Sequence, residues 1–217
     1  PPARAATTGC DDVTVGLAYV TAAEAKDSNV ARSRRTNAED YKTGMGCDLL
    51  IYTDEGQSQK LASNATVMAW LEQNAARYGF VVRYPADKAE KTGVAEYTEY
   101  YRYVGVPHAT YMKANNLCLE EYLVLLRTYT SKDRLSIQAL DGKTYEVYYC
   151  AVAGDGSISC PTNYNYTVSG TNEGGVVVTI DRSVVANQPI YTDNAQSATE
   201  PATAPESVSA SESQTTP

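Results

Sequence analysis

Residues 64–85 carry their own punctuation, and it specifies a helix that runs directly into a strand. Asn64 has a short side-chain oxygen that accepts from the free N–H groups of a first helical turn. Behind it Val67, Met68, Leu71, Ala75 and Tyr78 recur at helical spacing and define one apolar face. Gly79 follows as the stop, because only glycine takes the left-handed conformation there cheaply. Phe80-Val81-Val82-Arg83-Tyr84 then reads as a strand, closed by Pro85, which has no N–H to give to a ladder. A strand needs a sheet to receive it, so this region combines helix and sheet.

The flanking segments extend the pattern. Residues 13–31 show helical tendency, centred on Ala22-Ala23-Glu24-Ala25-Lys26, and a basic patch of Arg32, Arg34 and Arg35 follows. Thr43 to Tyr52 reads as a glycine-flexed approach to a buried strand. Val94 to Val104 is a tyrosine-rich strand candidate, and Pro107 opens a further helix. Asn115-Asn116 breaks that helix, and Leu117 restarts it through about Tyr129. From residue 131 to residue 182 the character changes to short β-type runs. Asp141-Gly142, Gly154-Asp155-Gly156 and the glycines from Gly170 to Gly175 separate them. The expected layout is therefore an α+β domain over 13–130, a small all-β module over 131–185, and a tail over 186–217. The tail is rich in Ser, Thr, Pro and Glu, buries too little apolar area to offset its ordering entropy, and is expected to be disordered.

Composition excludes several function classes. A net charge of −8 argues against nucleic acid or an anionic membrane surface as partner. No apolar run approaches the roughly 20 residues of a bilayer span. No P-loop, dinucleotide fingerprint or nucleophile elbow is present, and five cysteines without a Cys-x-x-Cys do not make a structural zinc site. Cys150 and Cys160 flank a turn and are placed to face each other; Cys118 reads as core, and Cys10 sits in a loose segment. The start at Pro1-Pro2-Ala3-Arg4 reads as a processed or excised terminus. Eighteen tyrosines stand against one Phe and one Trp. Tyrosine suits half-exposed sheet faces of the kind that meet peptides or sugars, and plain strand propensity accounts for it as well. Arg32, Arg34 and Arg35 are suited either to a carboxylate-bearing peptide or to plain solvation. Asn64-Ala65-Thr66 and Asn165-Tyr166-Thr167 fit the glycosylation pattern, which matters only in a eukaryotic secretory host.

A longer set of motifs carries a resemblance. Trp70-Leu71, Asn74-Ala75, Tyr78-Gly79-Phe80, Arg83-Tyr84-Pro85, Arg102-Tyr103-Val104-Gly105 and Leu119-Glu120-Glu121-Tyr122-Leu123 stand in one order. Together with Thr43-Gly44 and Asp48 they resemble the VanY-like zinc D-alanyl-D-alanine carboxypeptidases of bacterial cell walls, over roughly residues 20–128. The resemblance implies a partial D,D-carboxypeptidase-like fold of the α+β class, an antiparallel sheet with helices. It also implies removal of terminal D-alanine from peptidoglycan stem peptides, and a location outside the bacterial membrane or in the cell envelope. It also sets a register for the metal site. One His ligand position falls on Tyr41, the Asp ligand on Asp48, the general base on Tyr97 and the second His ligand on Tyr100. His108, the single histidine, matches a helix start and no ligand. The family's upstream substrate-contacting region has no visible counterpart here.

Chemistry decides what these exchanges imply. Histidine is a neutral ligand ready at pH 7, whereas tyrosine must first lose a proton of pKa about 10, costing about 4 kcal/mol. Two such losses take about 8 kcal/mol from an apparent affinity of roughly 10–16 kcal/mol. Tyrosine at position 97 cannot shuttle a proton as glutamate does. The expectation is a wall-associated copy without zinc and without turnover, with a stem peptide as its candidate partner. Tyr41, Tyr97 and Tyr100 would fill the cleft with rings, and Asp48 would pair with one of their hydroxyls. The alternatives are a hydrolase with an altered metal site, ferric iron on oxygen donors included, and a surface protein that acts through its β module.

Overall fold

The computed structural model describes residues 13–21, 23, 38–52, 58–95, 97–171 and 173–185. The basic patch at Arg32, Arg34 and Arg35, Cys10 and the tail over 186–217 lie outside the described residues. Two antiparallel sheets organise the rest.

The first sheet contains β1 (Val13–Leu17), β2 (Gly46–Tyr52), β5 (Tyr97–Tyr103) and β4 (Phe80–Tyr84) in that order, and β3 (Ser58–Lys60) also pairs with β2. Short helix α1 (Ala38–Lys42) precedes β2, and α2 (Ala65–Asn74) precedes β4. Residues 13–17 form a strand, contrary to the helical expectation there. Val13, Thr14 and Val15 are β-branched or flank β-branched neighbours, and such side chains lose little freedom on a pleated edge. They pair with Ile51, Leu50 and Leu49, and a register shift follows between Val15 and Leu17. The alanine-rich residues that suggested a helix lie mostly outside the described residues.

The segment 64–85 starts and stops as its punctuation demands, but the α-helix gives way to a 3-10 turn over Ala75–Tyr78, and Tyr78 is exposed rather than on the buried face. Asn64 accepts from the N–H groups of Thr66 and Val67, each at 3.1 Å. Gly79 stands at φ 81°, and β4 ends before Pro85. Val67 and Leu71 of α2 bury against Ile51, Leu61 and Tyr101 on one face of the sheet. Neighbouring strand residues point to opposite faces, so Tyr100 enters a different cluster, with Val20, Tyr41 and Tyr84.

Helix α3 (Ala89–Thr92) follows β4, and α4 (Val106–Ala114) and α5 (Leu119–Leu126) follow β5. Pro107 sits in the first turn of α4, and Asn116 takes φ 48° at the break. Arg83 of β4 donates to both carboxylate oxygens of Glu120 on α5, at 3.1 and 2.6 Å, which ties this helix back to the first sheet.

The second sheet runs β6 (Leu135–Gln138), β7 (Thr144–Ala151), β9 (Gly175–Val185), β8 (Tyr164–Gly170). Both of its faces are covered. Val147 and Val177 join Met112 of α4 and Tyr122 and Leu126 of α5 in one core cluster. Their neighbours Tyr148 and Val178 face the other way, into a cluster with Ile180, Cys150, Cys160, Tyr164 and Tyr166. Helices α4 and α5 therefore share their core with the second sheet across residue 130, the boundary expected between domain and module. His108 of α4 reinforces that join: Nδ1 lies 2.8 Å from the Tyr122 hydroxyl and Nε2 2.9 Å from the Thr179 hydroxyl on β9. No helix among the described residues is long and apolar enough to cross a membrane.

Candidate functional site

The four residues singled out by register come together at the crossing of α1, β2 and β5. Asp48 and Tyr100 are direct partners across the β2–β5 ladder. Tyr41 on α1 lies above them, its ring stacked on that of Tyr100 with centroids 5.1 Å apart. Tyr97 reaches the same cluster from the start of β5, 6.0 Å from Tyr100 ring to ring. Tyr84 of β4 completes it at 5.7 Å from Tyr100.

The hydroxyls meet carboxylates. Tyr41 donates to Asp48 Oδ1 at 2.7 Å, and Tyr100 donates to Asp40 Oδ2 at 2.7 Å. The guanidinium of Arg102 pairs with Asp40 on its other oxygen, so this buried carboxylate has a cation beside it. Tyr41 is 1% exposed and Tyr100 fully enclosed, which leaves no open face on either ring. Burial, then the bond to Asp48, drives the Tyr41 phenol well above its ordinary value. Burial, then the nearby Tyr84, does the same to Tyr100.

Asp40, Arg102 and Tyr84 were not visible as site residues in the sequence. Position along the chain could have found the first two. Asp40 is the neighbour of Tyr41, and Arg102 stands two residues from Tyr100, hence on the same strand face. His108 lies elsewhere, in the join between α4, α5 and β9.

Comparison with known proteins fixes the kinship. The family model described as VanY, D-alanyl-D-alanine carboxypeptidase, matches residues 18–106. A D-alanyl-D-alanine carboxypeptidase of Enterococcus faecium is 39% identical over 127 residues, 58% of this chain and 41% of its own length. A VanY D,D-pentapeptidase from a VanB-type resistance cassette, solved with Zn(II), is 30% identical; the match covers 51% of this chain and 71% of that one. Its TM-score of 0.38 is too low for the superposition itself to count.

Residues 18–106 of this chain match the VanY D-alanyl-D-alanine carboxypeptidase family.

Among solved structures, the vancomycin-resistance D,D-dipeptidase VanXYg, in complex with a D-Ala-D-Ala phosphinate analogue, is similar in fold. Its TM-score is 0.65 at 27% identity, covering 81% of this chain and 75% of that one. That share is larger than residues 18–106 make up, so the likeness to VanXYg reaches past the stretch matched by the VanY model. The chain spans about two fifths of the length of the E. faecium relative.

Zinc is the metal the VanY family implies, and the residues at this crossing do not fit it. Two of the three positions that the sequence register assigns to metal ligands carry phenols whose protons burial and carboxylate neighbours hold more tightly than usual. A phenol must ionise before it can bind a cation, and each already spends its proton on a carboxylate. Among the described residues no three His, Cys, Asp or Glu side chains converge as a metal-binding group.

Proposed function

We propose that this chain is a non-catalytic, wall-associated member of the D,D-carboxypeptidase family, which meets peptidoglycan stem peptides on the outer side of a bacterial membrane without cleaving them. The observation that carries the loss of turnover is the enclosed Tyr100, stacked on a Tyr41 whose hydroxyl is committed to Asp48. A zinc hydrolase of this kind needs a metal-activated water beside a proton shuttle. Rings occupy that space here, and Tyr97 stands where the shuttle would be. The choice of ligand class rests on kinship: the E. faecium relative is a D-alanyl-D-alanine carboxypeptidase, and VanXYg holds a D-Ala-D-Ala analogue. With the interior of the cleft filled, a peptide would be met at its rim, where Tyr97 remains partly exposed.

The test combines three measurements on the purified chain. Incubation with a D-Ala-D-Ala-terminated stem peptide is expected to release no D-alanine, and elemental analysis to find no stoichiometric zinc. Purified sacculi are expected to retain the chain, and free stem peptide to compete it off. About one tightly held zinc per chain together with D-alanine release would overturn the non-catalytic reading. Failure to bind sacculi would overturn the wall association.

A further inference from the structure

Gly46 needs an explanation that its backbone does not supply. It is the first residue of β2, opposite Arg102, and is not among the glycines with positive φ. A glycine inside a strand carries an entropic cost and contributes no packing. Space supplies the reason. A Cβ built on Gly46 would stand 2.7 Å from Cε2 and 2.9 Å from Cζ of Tyr100, and closer still to its hydroxyl oxygen. Any larger residue at 46 would collide with the ring at 100.

We infer that Gly46, Tyr100, Asp40 and Tyr41 are a co-fitted set, which makes the position that the sequence register assigns to a metal a closed, metal-independent clasp joining α1, β2 and β5. Each member answers another. Gly46 makes room for Tyr100; Tyr100 spends its hydroxyl on Asp40; Arg102 balances Asp40; Tyr41 covers the Tyr100 ring and spends its own hydroxyl on Asp48. A site drifting after loss of its metal would accumulate voids or orphaned polar groups, both of which destabilise. The two phenols and two carboxylates here are matched instead, and among the described residues the orphaned polar atom beside them is the buried Nε of Arg102. Metals cross-link distant elements of a chain, and a network of buried hydrogen bonds does the same work without the ion. The clasp rests on packing alone, so it stands or falls separately from the absence of turnover.

A double-mutant cycle tests it. Gly46→Ala is expected to lower the folding equilibrium constant about tenfold or more in the parent chain, the usual scale for overpacking a full core. In a Tyr100→Leu background, which removes Cε2, Cζ and the hydroxyl, the same change is expected to cost less than about threefold. An equal loss in both backgrounds would show that Gly46 and Tyr100 are not fitted to each other. If Gly46→Ala alone does not fold, recovery of folding in Gly46→Ala/Tyr100→Leu supports the pairing, and failure to recover counts against it. The parent chain gives a second, independent reading: its urea midpoint is expected to stay put in excess chelator and in excess zinc. A midpoint that rises with zinc or falls with chelator overturns the metal-independent clasp.

Discussion

At the scale of single residues, the site is governed by where protons rest. Tyr41 and Tyr100 keep theirs because burial penalises the phenolate and each hydroxyl faces a carboxylate. Removing one such donor leaves a buried acceptor short of a partner, a loss of roughly 1–3 kcal/mol. Tyr41→Phe is accordingly expected to lower unfolding free energy by about that amount while keeping the stacked ring, as urea denaturation would measure. A change near zero would mean that Asp48 finds water or another donor at no cost. The four register positions were legible in the sequence because short motifs on either side fixed their alignment. Their partners were less so. Asp40 and Arg102 are 62 positions apart and look like ordinary surface charges until β2 pairs with β5 and the α1 helix ahead of β2 carries Asp40 to Arg102.

Among the elements, legibility followed how local the determining forces are. The helix and strand between Asn64 and Pro85 are set by a cap, a periodic face and a left-handed glycine, all within the segment. Strand β1 was missed because its identity depends on the partner Leu49 to Ile51 strand, and the alanines that follow it bias a local reading towards helix. The connection from β7 to β8 was legible in its turn residues, but the two strands are not a hairpin, since β9 lies between them; even so, the connection brings two thiols into one cluster. Cys150 and Cys160 are free in the structure, both pack around Tyr148 and Ile180, and the Ser159 N–H donates to Cys150 Sγ at 3.4 Å. In protein exported to an oxidising compartment these two are expected to be bridged; the bond needs Cα atoms within about 7 Å and Cβ atoms directed at each other. Non-reducing peptide mapping that finds both alkylatable in such material would contradict this.

For the molecule as a whole, the decisive feature is the seam between the helices and the second sheet. His108 sits in it with both ring nitrogens engaged, and burial pushes its pKa down to about 4. The unfolded chain takes up that proton near pH 6.5, so below this pH protonation favours unfolding, and stability falls until the folded pKa is passed. The residue retains some exposure, so solvent softens the effect, and its upper bound is on the order of 2 kcal/mol at about pH 5. Denaturation curves at about pH 7.5 and about pH 5 are expected to show this drop in the parent chain and a smaller one in His108→Gln. Equal slopes would mean that the ring is hydrated in the folded state. Composition marked a change of character at residue 131, and it could not show that Met112, Tyr122 and Leu126 bury against the strands beyond that point, because such contacts are long-range. The seam also bears on how the chain can be handled. A cut at residue 130 would expose the oily side of two helices to water and invite aggregation, so a fragment of either half would report on its own broken surface before it reported on the protein.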